Sequence, residues 1–209
     1  MYQLRSRTMS ASSTTRARRR GRPAAASRED VLAAALSAYL HGERIDVQAV
    51  AGDLGLGRTT IYRWFGSREG LVGEVVVRAA EPLFDEARAN ARGRGGVALL
   101  DTFDRINRGL AQAPALRGFL ENERDALRIL TSSGGPVQPR MVAKIQGYIE
   151  EETSRGFRPP VDPATLAYAI VRLAEAFLFS DDAVAAVRGD VDRLREIEAA
   201  LLGVPLPTR

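Results

Sequence analysis

The sequence predicts an all-α protein: a small N-terminal helical bundle followed by a larger helical domain. Three features carry this reading. Apolar residues recur three and four apart, Ser, Asp or Pro stands at the start of several such stretches, and Gly and Pro clusters end them. The first helix is expected from Arg28 to Leu40, where Ser27 and Asp30 form a capping pair and Leu32, Ala35, Leu36, Tyr39 and Leu40 make one stripe. His41-Gly42 ends it, and Asp46 caps a short second helix from Val47 to Leu54, with Ile45 placed to staple onto Val50. Gly55-Leu56-Gly57 suits a tight turn with Leu56 as its apolar plug, and a third helix follows from Arg58 to Phe65. Ser67 caps a fourth, which passes Leu71 and Val75 toward Pro82 and Ala91. Beyond the break Arg92-Gly93-Arg94-Gly95-Gly96, helices are expected over Val97–Gln112, Pro114–Leu130, Val137–Arg155, Pro163–Ser180 and Asp190–Leu202. Ala113-Pro114, the Ser132–Pro136 run and Arg158-Pro159-Pro160 interrupt them.

Composition narrows the function classes. A chain of 209 residues, 45% apolar and 27% charged, buries a real core, so a globular, soluble protein is expected. No apolar run approaches the roughly 18 residues of a membrane span and the start lacks a signal-peptide stretch, which leaves the cytoplasm as the expected location. With no cysteine and His41 as the single histidine, disulfides, thiolate nucleophiles and Cys- or His-rich metal sites are excluded, and no cofactor is expected. There is no G-x-x-x-x-G-K and no G-x-S-x-G, and Asp181-Asp182 and Glu150-Glu151-Glu152 read as solvated helix ends, so the chain is not expected to be an enzyme.

Charge is unevenly spread. Residues 1–24 hold seven arginines and no acidic residue, leaving 23 of the 30 basic side chains to face 26 acidic ones. A cationic, disordered arm before a slightly acidic body points to a polyanion at one end. Arg20-Gly21-Arg22-Pro23 has the form of an AT-hook core, which places Arg20 and Arg22 in a narrow minor groove, the arm ordering on DNA.

Two short helices joined by a glycine turn make a helix-turn-helix. On the third helix, successive side chains turn by about 100°, so Ile61 and Phe65 define an inward face while Thr59 and Arg63 point outward. Thr60 and Tyr62 flank that outward face and Trp64 sits at the core boundary. Such a stripe offers hydrogen bonds to bases and phosphates with no acidic residue to repel DNA.

The stretch from Ile45-Asp46-Val47-Gln48 through Arg58-Thr59-Thr60-Ile61-Tyr62-Arg63-Trp64-Phe65-Gly66-Ser67-Arg68-Glu69-Gly70-Leu71 resembles the DNA-binding signature of tetracycline-repressor (TetR) regulators. The resemblance implies a TetR-like fold, with residues 25–81 as the helix-turn-helix domain and 82–209 as a helical effector-binding and dimerisation domain. It implies that Tyr62 and Arg68 grip phosphates, that Thr59, Thr60, Arg63 and Trp64 meet bases or sugars, and that Arg58 and Gln48 assist. Gly57 stands where a Ser often caps the recognition helix, and Asp46 where a Thr or Ser often stands. The last two long helices would pair with their copies in a homodimer. Leu166, Ala169, Ile170, Leu173, Ala174, Phe177 and Leu178 supply one apolar face for it and Ile197, Ala200 and Leu201 another, although a monomer's own core can consume the same residues.

The C-terminal region, through Arg128-Ile129-Leu130-Thr131-Ser132 and Ala167-Tyr168-Ala169-Ile170-Val171-Arg172, resembles regulators of quorum-sensing-signal degradation. That resemblance implies a ligand-responsive repressor of operator DNA whose small-molecule effector is a γ-lactone or an acyl-homoserine lactone. Phe103, Phe119, Arg128, Tyr148, Tyr168 and Arg172 are the candidate pocket residues, with a plain Arg172–Glu175 pair as the simpler reading of Arg172. The competing reading of the whole is a DNA-binding protein, architectural or constitutive, whose second domain only dimerises.

Overall fold

A computed structural model describes residues 26–179 and 183–206. The arm of residues 1–24, with Arg20 and Arg22, lies outside the described residues. Ten helices and no strand run through the described part: α1 (Arg28–Leu40), α2 (Val47–Asp53), α3 (Arg58–Phe65), α4 (Arg68–Ala89), α5 (Gly96–Gln112), α6 (Pro114–Asn122), α7 (Ala126–Thr131), α8 (Gln138–Ser154), α9 (Pro163–Leu178) and α10 (Ala183–Leu202). Among the described residues no helix is long and apolar enough to cross a membrane.

The local signals act as side-chain chemistry requires. Ser27 and Asp30 form a reciprocal capping box on α1, Asp46 accepts from the Gln48 amide at 2.7 Å, and Ser67 accepts from the Gly70 amide at 3.0 Å. Two expectations are corrected. The single helix over Pro114–Leu130 is two, because Glu123 leaves helical geometry (φ −105°, ψ 111°) at the point where its carboxylate turns inward to Arg68. The last helix begins at Ala183, ahead of the expected Asp190.

Burial divides into two clusters, and the division does not follow the chain. One contains the inward faces of α1 to α4 together with Leu116 and Phe119 of α6, Ala126, Ile129 and Leu130 of α7, and Val137. The ring of Phe119 meets Tyr39 of α1 at 5.8 Å. The second joins Phe84 and Ala87 of α4 to α5, α8, α9 and α10. Helix α4, about 33 Å long, thus belongs to both. On α9 the expected apolar face splits: Leu166 and Ile170 are taken into the chain's own core, whereas Ala169, Leu173 and Phe177 stay half-buried and Tyr168 is 51% exposed.

Helix α3 meets α4 at very short range. A Cβ built at Gly70 falls 1.9 Å from the Phe65 carbonyl oxygen, which is backbone and has nowhere to move, while a Cβ at Gly147 on α8 meets nothing within 4 Å. Gly70→Ala is therefore expected to cost about 1–3 kcal/mol by forced displacement. Gly147→Ala should instead stabilise by about 0.5–1 kcal/mol through helix propensity. Paired denaturant melts check both signs.

Candidate nucleic-acid interface and internal cavity

The turn between α2 and α3 is built from backbone. Gly55 takes φ 63°, a left-handed geometry open to glycine, and the Leu56 amide returns to the Ala51 carbonyl at 2.8 Å. The side chain of Leu56 packs half-buried on the head's core. Helix α3 then presents the faces that its sequence indicates: Ile61 and Phe65 are buried, Thr59 and Arg63 are exposed, and Thr60, Tyr62 and Trp64 lie between. Arg58, exposed at the start of α3, points its guanidinium to the Tyr62 hydroxyl (3.4 Å) and ring, and Gln48 is exposed on α2. Arg58 and Tyr62 thus share the outward side of α3 with Thr59 and Arg63. Behind it, Arg28 of α1 lies 4.5 Å from the centre of the Phe65 ring and pairs with Glu74 of α4 at 2.5 Å, which pins the rear of α3.

Arg68, expected as a phosphate grip, is engaged within the protein at the start of α4. Its guanidinium lies 2.5 Å from Glu123 and 3.3 Å from the Ile45 carbonyl oxygen, and the two side chains are only 21% and 5% exposed. Burial pushes the Glu123 carboxyl up, but the hydrogen bond and positive charge of Arg68 outweigh it and hold the group below its ordinary value. This pair fixes the head to the loop between α6 and α7.

Below the head lies a cavity of ≈ 90 Å³. Its wall is apolar, with Val76 and Phe84 from α4, Phe103 from α5, Met141 from α8 and Ile170 from α9, and the polar lining residues described are Asn107, Glu175 and Glu198. Of the six candidates from the sequence, Phe103 lines it. Phe119 is in the head's core against Tyr39, and Tyr148 donates to the Phe84 carbonyl at 3.3 Å with Arg88 against its ring. Arg128 is exposed and pairs with Asp125, and Tyr168 is exposed. Arg172 bonds the Thr131 carbonyl and Glu175, as its simpler reading had it. The residues that sequence reasoning missed are Asn107, Glu175 and Glu198. For Glu198 a signal existed, since it occupies the inward register of Val191, Leu194 and Leu202 on an amphipathic helix.

Glu198 is fully buried. Its Oε1 accepts from Asn107 Nδ2 at 3.0 Å and its Oε2 has no hydrogen-bond partner. Burial, aided by the negative charge of Asp104, pushes its carboxyl up to about 8 against the opposing pull of Asn107 and Arg195.

A helix-turn-helix with a polar outward face, set on a helical body around an apolar cavity, defines a DNA-binding regulator. Residues 93–203 match the family model described as tetracyclin repressor-like, C-terminal domain. The chain belongs to the TetR family of transcriptional regulators and has the TetR-family repressor fold. The transcriptional repressor QsdR of R. erythropolis, of the TetR family, is 26% identical, with 87% of this chain and 97% of that chain covered and a TM-score of 0.77. The TetR-family repressor AlkX of Dietzia sp. (22% identical, 85% and 97% covered, TM-score 0.54) and a TetR-family regulator of Pectobacterium atrosepticum (22% identical, 86% and 95% covered, TM-score 0.55) share the fold. No curated protein sequence matches the chain.

Removing Glu123 leaves Arg68 charged and mostly buried without its partner, so Glu123→Ala is expected to cost about 3–5 kcal/mol. The sign with pH follows from the lowered carboxyl value. The pair's contribution is complete above the unfolded value near 4.5 and is lost as pH falls through the lower folded value. Thermal melts from neutral to acid pH should show Glu123→Gln destabilised at pH 7 and converging on the wild type in acid.

Proposed function

We propose that the chain is a homodimeric, ligand-responsive transcriptional repressor that holds a palindrome-like operator and releases it when a γ-lactone or acyl-homoserine lactone enters the cavity, so controlling degradation of such a signal. One observation carries the switch. Val76, Val77, Leu116, Leu130 and Val137 line the cavity and also belong to the core of the DNA-binding head. A ligand that spreads these side chains moves residues on which the head is packed. That is the differential contact between two arrangements that any effector needs.

Thr59, Thr60, Arg63 and Trp64 then meet bases or sugars, Tyr62 and Arg68 grip phosphates, and Arg58 and Gln48 assist. Arg20 and Arg22 add minor-groove contacts from the arm. An eight-residue recognition helix reads few base pairs, so specificity calls for two half-sites and a dimer. The outward side of α9, with Tyr168, and Ile197 of α10 expose apolar surface suited to that contact. The lactone class rests on the resemblance of the C-terminal sequence to quorum-signal regulators, and the apolar wall suits an acyl chain.

The test is operator binding with its thermodynamic linkage. Arg63→Ala should cost about 1–3 kcal/mol and relax preference at one position of each half-site. A lactone that weakens operator binding by a given factor must itself bind more weakly, by that factor, to operator-saturated protein, with an ordinary coupling of about 1–3 kcal/mol. Calorimetric titrations with and without operator check this. Equal lactone affinity in both identifies a ligand without inducing power, and a DNA-binding protein indifferent to lactones would match the constitutive reading.

A further inference from the structure

The cavity's lining is chemically one-sided. Among the described residues it contains no Lys, Arg or His, and its two carboxylates differ in state. Glu175 is paired with Arg172 at 2.6 Å, whereas Glu198 sits at full burial with one oxygen on Asn107 and the other unpartnered. An unpartnered oxygen buried on a cavity wall is costly unless something within the cavity completes it.

We propose that Glu198, braced by Asn107, is the recognition point for an uncharged carbonyl-bearing ligand, and presents a carboxylic-acid O–H from Oε2 to that ligand's carbonyl oxygen. The inference rests on reading the cavity as the effector site, and it adds the group that reads the ligand and the neutral acceptor chemistry that this group demands. The bracing sets the direction: Asn107 donates to Oε1, so the proton belongs on Oε2. The charged groups around Glu198 favour this neutral form. Asp104 on α5 repels an ionised carboxyl. Arg195 on its own helix is turned toward Asp104, 3.7 Å away, and Arg108 of α5 is held by Asp104 and Asp192. From α9 the facing group is Glu175, and the lining residues of α4 and α8 are apolar. Burial holds the acid in its protonated form at neutral pH. An O–H donor needs an acceptor, and an ester, lactone, amide or ketone oxygen is one that brings no charge into an apolar wall. An anionic ligand would place its charge against an apolar wall whose described lining holds no cation.

Calorimetry of the full chain with a matched six-carbon series tests this: hexanamide, hexylammonium and hexanoate, near pH 6.5. Hexanamide is expected to bind at least about tenfold more tightly than either charged analogue. Glu198→Gln should retain binding within about threefold, because its amide N–H donates from the position of Oε2 while its oxygen still accepts from Asn107. Glu198→Leu, of similar volume, should lose about tenfold or more while keeping a cooperative melt. Near pH 9.5 the wild type should lose affinity for hexan-2-one, whose carbonyl can only accept, as the carboxyl ionises, and Glu198→Gln should not. Tighter binding of hexylammonium, lost in Glu198→Gln, would overturn the assignment in favour of a cation site. Unchanged hexanamide binding in Glu198→Leu would overturn the role of Glu198 and leave the effector cavity standing. Failure of all three probes on both wild type and Glu198→Leu would remove the effector cavity itself, and this inference with it.

Discussion

Helix α4 is held at each end by a buried ion pair, and the rest of the molecule is arranged around that restraint. At its start Arg68 meets Glu123, and near its end Arg88 meets Glu152, which is 3% exposed and also accepts the Gly95 amide at 2.7 Å. Burying charges costs several kcal/mol per ion unless partners and hydrogen bonds are complete, so each pair tolerates one geometry far better than its neighbours. The two clamps fix where α4 lies against α6–α7 at one end and α8 at the other. The recognition helix, which meets α4 at backbone contact distance through Gly70, inherits that position.

Between the clamps lies the cavity. Its upper wall doubles as the floor of the head's core, so an event in one is a packing change in the other without any longer path. Well-packed interiors respond to added volume by switching arrangement rather than deforming gradually. In the proposed switch, the 90 Å³ cavity at this junction gives a ligand leverage on the packing beneath α3. In that switch, the polar lining at Asn107, Glu175 and Glu198 is what distinguishes one ligand from another.

Much of this was legible in the residues, and what was not has a physical pattern. Ser27, Asp46 and Ser67 act through hydrogen bonds to amides two or three positions away, so capping can be read locally, and the 100° rotation between residues places Ile61 inside and Arg63 outside. The break at Glu123 carries no glycine or proline. It is made by a partner 55 positions away, which local pattern does not contain. The same long-range pair engages Arg68, a contact that its motif position does not reveal. Aromatic residues do not by themselves locate the cavity, because Phe119 and Tyr148 pack into the core instead of lining it. The better signal was a carboxylate in an otherwise apolar register, at Glu198.

The central claim is that the DNA-binding head is packed as part of the body, completed by Leu116, Phe119, Ala126, Ile129 and Leu130. The most direct test is the thermal melt of an isolated segment of residues 26–91, followed by circular dichroism beside the full chain. Without those five side chains and without Glu123 to match Arg68, the segment is expected to lose its cooperative transition or to melt far below the full protein. A segment that unfolds cooperatively at the temperature of the full chain would contradict the claim, and with it the route from cavity to recognition helix.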